Sequence, residues 1–592
     1  MQSNRVLTSM QTVKRLYGPY RFQIFALAAL GFTSGILESL GVTMVIPLFS
    51  RVANQPLLES NQIAQFFDAF FAFLHIEPRL RFLIPLIVVF FLLRACALFA
   101  FEFLRMRLTI NYERNTRINL YEEFLKTRWL YLLKQKLGHL ENTLMTDIGG
   151  ATNFLSNLTN AILNLASLLV YIAVAVSLSA PMTLLALLGG AVLLFTFKPF
   201  IAKTRLYSQT GMALNKRIAH DINENIIGSK NIKALGAEHT TAKFISRLFD
   251  EIRIIKIKQA MTKSFTNSAV EPVSLIMIVA IFTFSFTRPG FNFAVFAVLL
   301  YMIQRIFIYV DRAQASLHGI SSGLPHAERA LLLKEELAKE REKDTGNAQF
   351  HFQKQLQFQN VGFDYTAPTP VLSGVNFILN KGEMLGVVGS SGAGKTTIAD
   401  LILRFFEPTS GKILIDGADV KSIGLQDWRK NVGYVAQDMF LLNDSIENNV
   451  RFYGKDVSEE SFAEALKLAR VLDFAANLPE GLKTAVGERG LHLSVGQRQR
   501  VALARILARR PEILILDEAT SSLDNESEAL VKQSIESLKG RLTLLIVAHR
   551  LSTIMNCDRV LVLKDGQIIE TGAPRTLLSD PSTHFYRLYN AN

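Results

Sequence analysis

The residues best suited to chemistry lie in the second half of the 592-residue chain. After the apolar run Met384 to Val388 comes Gly389-Ser390-Ser391-Gly392-Ala393-Gly394-Lys395-Thr396, and then the helix-compatible stretch Thr397 to Phe405. A strand, a glycine-rich turn and a helix start form a phosphate cradle. The glycines let successive N–H groups turn inward on phosphate oxygens, and the helix N-terminus favours negative charge. In this pattern Lys395 reaches the β and γ phosphates and Thr396 ligates Mg²⁺. A second apolar run, Ile513 to Leu516, ends in Asp517-Glu518. The first carboxylate suits the water shell of the magnesium, and the second suits positioning or activating an attacking water. A third run, Leu544 to Val547, leads to His549, a position from which a γ-phosphate is sensed, although a lone histidine at a strand end is also a common structural residue.

These motifs require an α/β domain with buried strands, and the composition supplies one. From about residue 331 a charged stretch, Lys334-Glu335-Glu336 through Lys343-Asp344, leads to Thr345, Gly346 and Asn347, which break a helix. Beyond it short Val/Ile/Leu runs alternate with helical patterns. The expected division is a first domain over 1–330, a linker over 331–348 and the α/β P-loop domain over 349–592.

The first half has another character. The chain is 49% hydrophobic and 19% charged with 42 Phe, too apolar for an ordinary soluble protein. Runs long enough to cross roughly 30 Å of hydrocarbon as helices fall near 22–50, 82–104, 158–179, 182–200, 264–287 and 291–312, which predicts an all-α domain of six spans. Tight turns at Ser179-Ala180-Pro181 and Arg288-Pro289-Gly290 place two connections on one side. The connections after the second and fourth spans are long, helix-compatible and basic (Arg105, Arg107, Arg114, Arg117, Lys126, Arg128, Lys134 and Lys136; Lys203, Arg205, Lys216, Arg217, Lys230 and Lys233), so both face the cytosol, and so do the termini. The first run is too long for a signal core and is read as a retained anchor. Between the first two spans, Asn61, Gln65, Asp68, Ala72 and His75 recur at helical spacing among phenylalanines, the pattern of a short amphipathic helix that lies in the headgroup layer or caps the bundle.

Net charge +13 admits nucleic acid, but the cations flank apolar segments instead of forming a block, which favours a cytosolic membrane face and no nucleic acid. The two cysteines, Cys96 and Cys557, exclude a disulfide framework. Glu38, Arg94, Glu102, Glu271 and Arg305 fall in or near the spans, where a charge costs at least ~2.5–3.5 kcal/mol and normally faces protein or a wet cavity. Arg94 and Arg305 are candidates for an anionic headgroup or pyrophosphate, or for pairing with Glu38 or Glu102.

Ser494-Val495-Gly496-Gln497-Arg498-Gln499-Arg500 resembles the signature motif of ABC ATPases, and it precedes the Asp517-Glu518 strand as in that family. The resemblance extends to Tyr365 as the aromatic residue that stacks on adenine, and to Gln437 as the Q-loop glutamine, which would join Thr396 and Asp517 around magnesium. Gly487-Glu488-Arg489-Gly490 resembles the motif that contacts the membrane domain, and Ser522-Leu523-Asp524 the D-loop. The membrane half is similar to ABC exporters, with Glu224 to Glu238, including Gly228 and Lys233, as the second cytosolic loop. The resemblance implies catalytic roles for Glu518, His549, Gln437 and Lys395. It implies contacts to ATP from the whole 389–396 loop, Thr397 and Tyr365, and from Ser494, Gly496, Gln497 and Asp524 across a dimer. One departure is Val495 where the family usually has glycine; weaker or slower closure is expected from it, with the serine and backbone contacts still possible.

The expected assembly is a homodimer in a bacterial inner membrane, with the ATPase domain in the cytoplasm. The segment Leu37 to Val42 and on to Pro47, the external helix and the cavity arginines resemble flippases of lipid-linked oligosaccharides and related glycolipids. A multidrug exporter has the same architecture. A peptide exporter is expected to carry a peptidase domain with a catalytic cysteine before the first span. A nucleotide-gated channel or a regulatory ATPase has little use for the intact Glu518.

Overall fold

The computed structural model describes residues 13–46, 80–135, 137–286, 293–365, 370–454, 457–518, 525–548, 550 and 553–591. The amphipathic segment 61–75, Pro47 and the turn 288–290 lie outside them. The chain divides into two compact units, Met1–Thr127 with Lys134–Arg341, and Arg128–Leu133 with Glu342–Asn592.

The first unit is a bundle of long helices: α1 (Arg21–Thr43), α2 (Leu80–Leu125), α3 (Ile148–Leu178), α4 (Ala180–Ile227), α5 (Glu238–Phe286) and α6 (Phe293–Lys339). Among the described residues, five helical stretches are long and apolar enough to cross a membrane, and they contain α1 to α5; α6 begins with one of the apolar runs predicted to span. Several helices continue past the hydrocarbon length: α2 has 46 residues and α4 has 48. Polar, basic sequence thus extends apolar spans without a break. Pro181 in the first turn of α4, after the extended Ser179, starts that helix where a missing N–H costs nothing.

Small residues set the closest approaches. A Cβ on Gly319 of α6 would meet Asn157 of α3 at 2.2 Å, and one on Gly323 would meet Phe154 at 2.8 Å. Around them Tyr17, Phe101, Tyr112, Phe154 and Leu324 form a buried core. Large apolar side chains such as Leu92, Phe99 and Phe195 are exposed on the same helices, the surface expected of spans that face lipid. Toward its end α6 runs unbroken through Lys334-Glu335-Glu336 to Lys339, its charges held outward, with Arg15 Nη1 donating to Glu335 at 2.7 Å. The second connection is a short helix, Ser229–Ala234, entered through Gly228 and left through Gly236 at φ +60°.

The second unit is built on a six-stranded sheet. The strands are β1 (Gln355–Phe363), β2 (Leu372–Asn380), β3 (Met384–Gly389), β4 (Ser410–Ile415), β5 (Ala418–Asp419), β6 (Val432–Val435), β7 (Ile513–Asp517), β8 (Thr543–Val547), β9 (Arg559–Lys564) and β10 (Gln567–Gly572). The main sheet has the order β10-β9-β3-β8-β7-β6, parallel from β9 to β6, and β2-β1-β4-β5 form an antiparallel sheet beside it. β7 and β8 are buried at every position, as the continuous apolar runs require of strands covered on both faces. Residues 128–133 also belong to this unit, where Trp129 packs on Phe405 with ring centroids 5.6 Å apart. Arg429 makes two 2.8 Å hydrogen bonds to Glu342, fixing the start of the unit to its core.

Candidate functional site

The sheet order brings the chemistry together. In α/β sheets ligands bind beyond the carboxyl ends of parallel strands. Here β3, β8, β7 and β6 are adjacent, with Val387, Val547 and Asp517 in register. The glycine-rich loop after β3, Glu518 after β7 and Gln437 after β6 therefore share one edge. His549 and Asp524 lie outside the described residues.

In the loop Gly394 has φ +99°, and a Cβ there would meet Leu372 at 2.7 Å, so neither its conformation nor its space admits a side chain. Gly392, at φ +80°, has open space around it, and a Cβ there would meet nothing within 4 Å. The helix α7 (Lys395–Ile402) starts directly from the loop. Lys395 is buried and its Nζ donates to the carbonyls of Gly389 at 2.9 Å and Ser390 at 3.0 Å, keeping the ammonium within the loop. Burial depresses its pKa, against the pull of Glu518 and Asp517. Thr397, next on α7, shares a 3.2 Å hydrogen bond with the hydroxyl of Tyr365, whose ring meets Phe363 and Phe406 edge-on.

Asp517 is 3% exposed, and its Oδ1 is buried without a hydrogen-bond partner. Its Oδ2 accepts from the Tyr434 hydroxyl at 3.3 Å. Burial raises the Asp517 pKa and Glu518 raises it further, while Tyr434, Thr396 and Lys395 work against the rise. An ionised oxygen left unsatisfied in a buried place is costly, and a hard cation is the partner that relieves it. Glu518 leaves β7 at φ +47°, in the left-handed region, with its N–H on Val547 O at 2.8 Å. Such a conformation costs roughly 1–3 kcal/mol and turns the side chain off the strand direction. There Gln437 Nε2 donates to Glu518 Oε2 at 2.7 Å.

Sequence reasoning missed Asp400 and Tyr434. Asp400 is four residues after Thr396, hence on one face of α7, and burial followed by the charge of Asp517 pushes its pKa up to about 6. That spacing was the available signal. Tyr434 is the penultimate residue of β6 and its one partly exposed position, where nothing in the sequence indicates its target.

The signature segment starts the helix α8 (Val495–Leu507). Ser494 caps it: its Oγ accepts from Gln497 N at 3.2 Å, and its own N–H donates to Gln497 Oε1 at 2.9 Å. Val495 occupies the first helical position, with regular helix geometry, and is partly buried against the core. Gly496 is the position that tolerates no side chain, because a Cβ would lie 2.6 Å from Ser527 of α9 (Asn525–Ser537).

In the membrane unit Arg94 and Arg305 converge on one residue. Glu38 of α1 is 0% exposed; Arg94 Nη2 of α2 lies 2.7 Å from its Oε2, and Arg305 Nη2 of α6 lies 2.8 Å from its Oε1. The Tyr309 hydroxyl donates to Oε2 at 3.2 Å. The second contact is a close ion pair outside hydrogen-bond alignment, and Arg305 Nε turns to the Tyr301 hydroxyl at 2.8 Å. Glu102 instead pairs with Arg105 on its own helix. Two guanidinium groups on one carboxylate leave an excess positive charge among three helices.

A helical membrane unit followed by a P-loop ATPase unit with a signature helix defines the class of ATP-binding transport proteins. Residues 372–521 match the ABC transporter family and residues 42–304 match the ABC transporter transmembrane region. The heterocyst differentiation ATP-binding protein HepA of Nostoc sp. is 32% identical over 490 residues, 80% of each chain. An ATP-dependent lipid A-core flippase of Syntrophus aciditrophicus is 31% identical over 482 residues, 80% of this chain and 79% of that one. The fold is shared with a bacterial Atm1-family ABC exporter solved with ATP bound, at a TM-score of 0.78 and 22% identity, covering 98% of each chain. The chain belongs to the ABC transporter family: it is an integral membrane protein with the exporter fold and a nucleotide-binding ABC ATPase domain.

Proposed function

We propose that two copies of this chain form an ATP-driven exporter that flips a lipid or lipid-linked glycan with an anionic headgroup across a bacterial inner membrane. The observation that carries the substrate reading is the pair Arg94 and Arg305 on the single buried Glu38, whose excess positive charge in the spans suits a phosphate-bearing headgroup. The name of the Syntrophus relative, a lipid A-core flippase, points the same way.

At the ATPase site the 389–396 loop holds the phosphates of ATP, Lys395 neutralises them, and Tyr365 offers its ring to the adenine. Thr396, Asp517 and Gln437 hold Mg²⁺, the unsatisfied Asp517 Oδ1 being the strongest mark of that role. When bound, the ion offsets charge on the β and γ phosphates. Glu518, held by Gln437, orients the attacking water and accepts its proton, and His549 approaches the γ-phosphate. Ser494, Gly496, Gln497 and Asp524 of the second copy complete the site, so neither copy hydrolyses ATP alone. Closure on ATP turns the membrane units outward and hydrolysis resets them.

The test is ATPase activity in lipid nanodiscs with candidate lipid-linked oligosaccharides, glycolipids and amphiphilic drugs, with Glu518→Gln as the blank. Selective stimulation by an anionic glycolipid, lost in Arg305→Ala, is the expected result. Broad stimulation by drugs without dependence on Arg305 contradicts the lipid reading and favours a multidrug exporter.

A further inference from the structure

A second charged site lies in the membrane unit, on the cytosolic extension of its helices. A cavity of about 400 Å³ is lined by Lys134, Lys216, Arg217, His220 and Arg329. These residues come from three places in the chain: Lys134, where the chain re-enters the membrane unit, α4 and α6. Lys216 and His220 stand one turn apart on α4 and share a face. Among the described residues, no carboxylate lines the cavity. The nearest acids are committed around it: Asp221 lies 3.8 Å from Arg217, Glu224 lies 3.2 Å from His220, and Asp147, which attracts Lys216, is bonded to His326 at 2.8 Å. Glu336 also attracts Lys216 through space.

Asp221 and Glu224 offset part of this charge from outside the cavity, but the lining itself carries four cations and no carboxylate, and a recess walled by one sign of charge concentrates counter-ions. Two guanidinium groups supply flat two-pronged donors and two ammonium groups supply point charges, the combination that suits phosphate oxygens. The volume falls in the range of small-ligand pockets and exceeds what a single chloride needs. We propose that this cavity binds a phosphate-bearing anion of at least two negative charges, either the diphosphate of a lipid headgroup or a soluble phosphate compound. The site is separate from the P-loop and from the Glu38 cluster, and it does not depend on the exported substrate. The chain passes between the units after Thr127, after Leu133 and after Arg341; Lys134 directly follows the second of these, and Arg329 lies on the helix that leads to the third. An occupant that ties them together is therefore placed to change the rate of ATP hydrolysis.

The test uses the full-length protein in phosphatidylcholine nanodiscs and pyrophosphate as probe, in a Lys395→Ala background that removes binding at the P-loop. Saturable binding is expected there, weakened about tenfold or more by Lys216→Gln and, separately, by Lys134→Gln, as expected for the loss of one charged hydrogen bond. Lys134 is exposed, so its replacement leaves folding intact, and a melting curve checks this for each variant. Nanodiscs carrying a lipid diphosphate then assign the source: competition with pyrophosphate identifies a headgroup, and lack of competition identifies a soluble anion. No saturable binding in the Lys395→Ala protein, or binding unchanged by both glutamine variants, overturns the proposal.

Discussion

Gln437 Nε2 donates a 2.7 Å hydrogen bond to Glu518 Oε2, across the ends of two neighbouring parallel strands. In the proposed mechanism the carboxylate that meets water is thus oriented by the residue that would also stand beside the metal. Glu518→Gln is expected to lower kcat by about 10²–10⁴-fold, the range for loss of a general base, with ATP binding retained. Gln437→Ala is expected to cost about 10–100-fold, the worth of one charged hydrogen bond. Steady-state hydrolysis with a parallel nucleotide-binding measurement separates the two; loss of binding in Glu518→Gln would contradict the assignment.

Glu38 supports two arginines from other helices. Replacing it with alanine leaves two partly buried cations without a counter-charge, a change worth up to roughly 3 kcal/mol. The melting temperature of the protein in nanodiscs is expected to fall clearly in Glu38→Ala, and to recover partly in Glu38→Ala with Arg94→Met. Equal melting of the single variant and the wild type would show that the ion pairs do not hold the spans together.

Asp400 links the site to pH. Its pKa of about 6 lies above the ordinary value of 3.8, so the folded chain holds the proton more tightly than the unfolded chain. The stability this contributes is complete below 3.8 and is lost as pH rises through about 6. Asp400→Asn is therefore expected to melt higher than the wild type at neutral pH, with the difference disappearing toward pH 3.8. A variant less stable at neutral pH would show that the carboxylate is compensated.

The signature helix separates two neighbouring positions. Gly496→Ala places a methyl group 2.6 Å from Ser527 Cβ, an overpacking that typically costs about 1–3 kcal/mol and here disturbs the helix start proposed to face nucleotide. Val495→Gly, which restores the usual family residue, gives up core packing and costs about 1 kcal/mol or less, with hydrolysis within a few-fold of wild type. Melting and kcat of the two variants check this; a large gain in kcat in Val495→Gly would show that valine slows closure strongly.

Local chemistry was legible in the sequence, and long-range pairing was not. The P-loop, the strand ending in Asp517-Glu518 and the signature helix are contiguous motifs, each specified by its own strand, turn or cap. The apolar lengths likewise announced the membrane helices. Periodicity cannot say that Arg94 and Arg305 meet on Glu38 while Glu102 stays with Arg105, because that choice depends on how α1, α2 and α6 pack. The charged stretch after residue 331 marked the change of composition, and because charges on the outer face of a helix cost it nothing, α6 runs on through its first part to Lys339, ahead of Thr345-Gly346-Asn347. Residues 128–133 gave no sign that they group with the ATPase unit, since their burial partner Phe405 is far away in sequence.

The measurement closest to the central claim is translocation of a fluorescent anionic glycolipid in proteoliposomes, followed by protection from a membrane-impermeant quencher. Movement that requires ATP, stops in Glu518→Gln and slows in Arg305→Ala is the predicted result. Hydrolysis of ATP without any movement of the lipid, or movement unaffected by Glu518→Gln, would contradict an ATP-driven flippase.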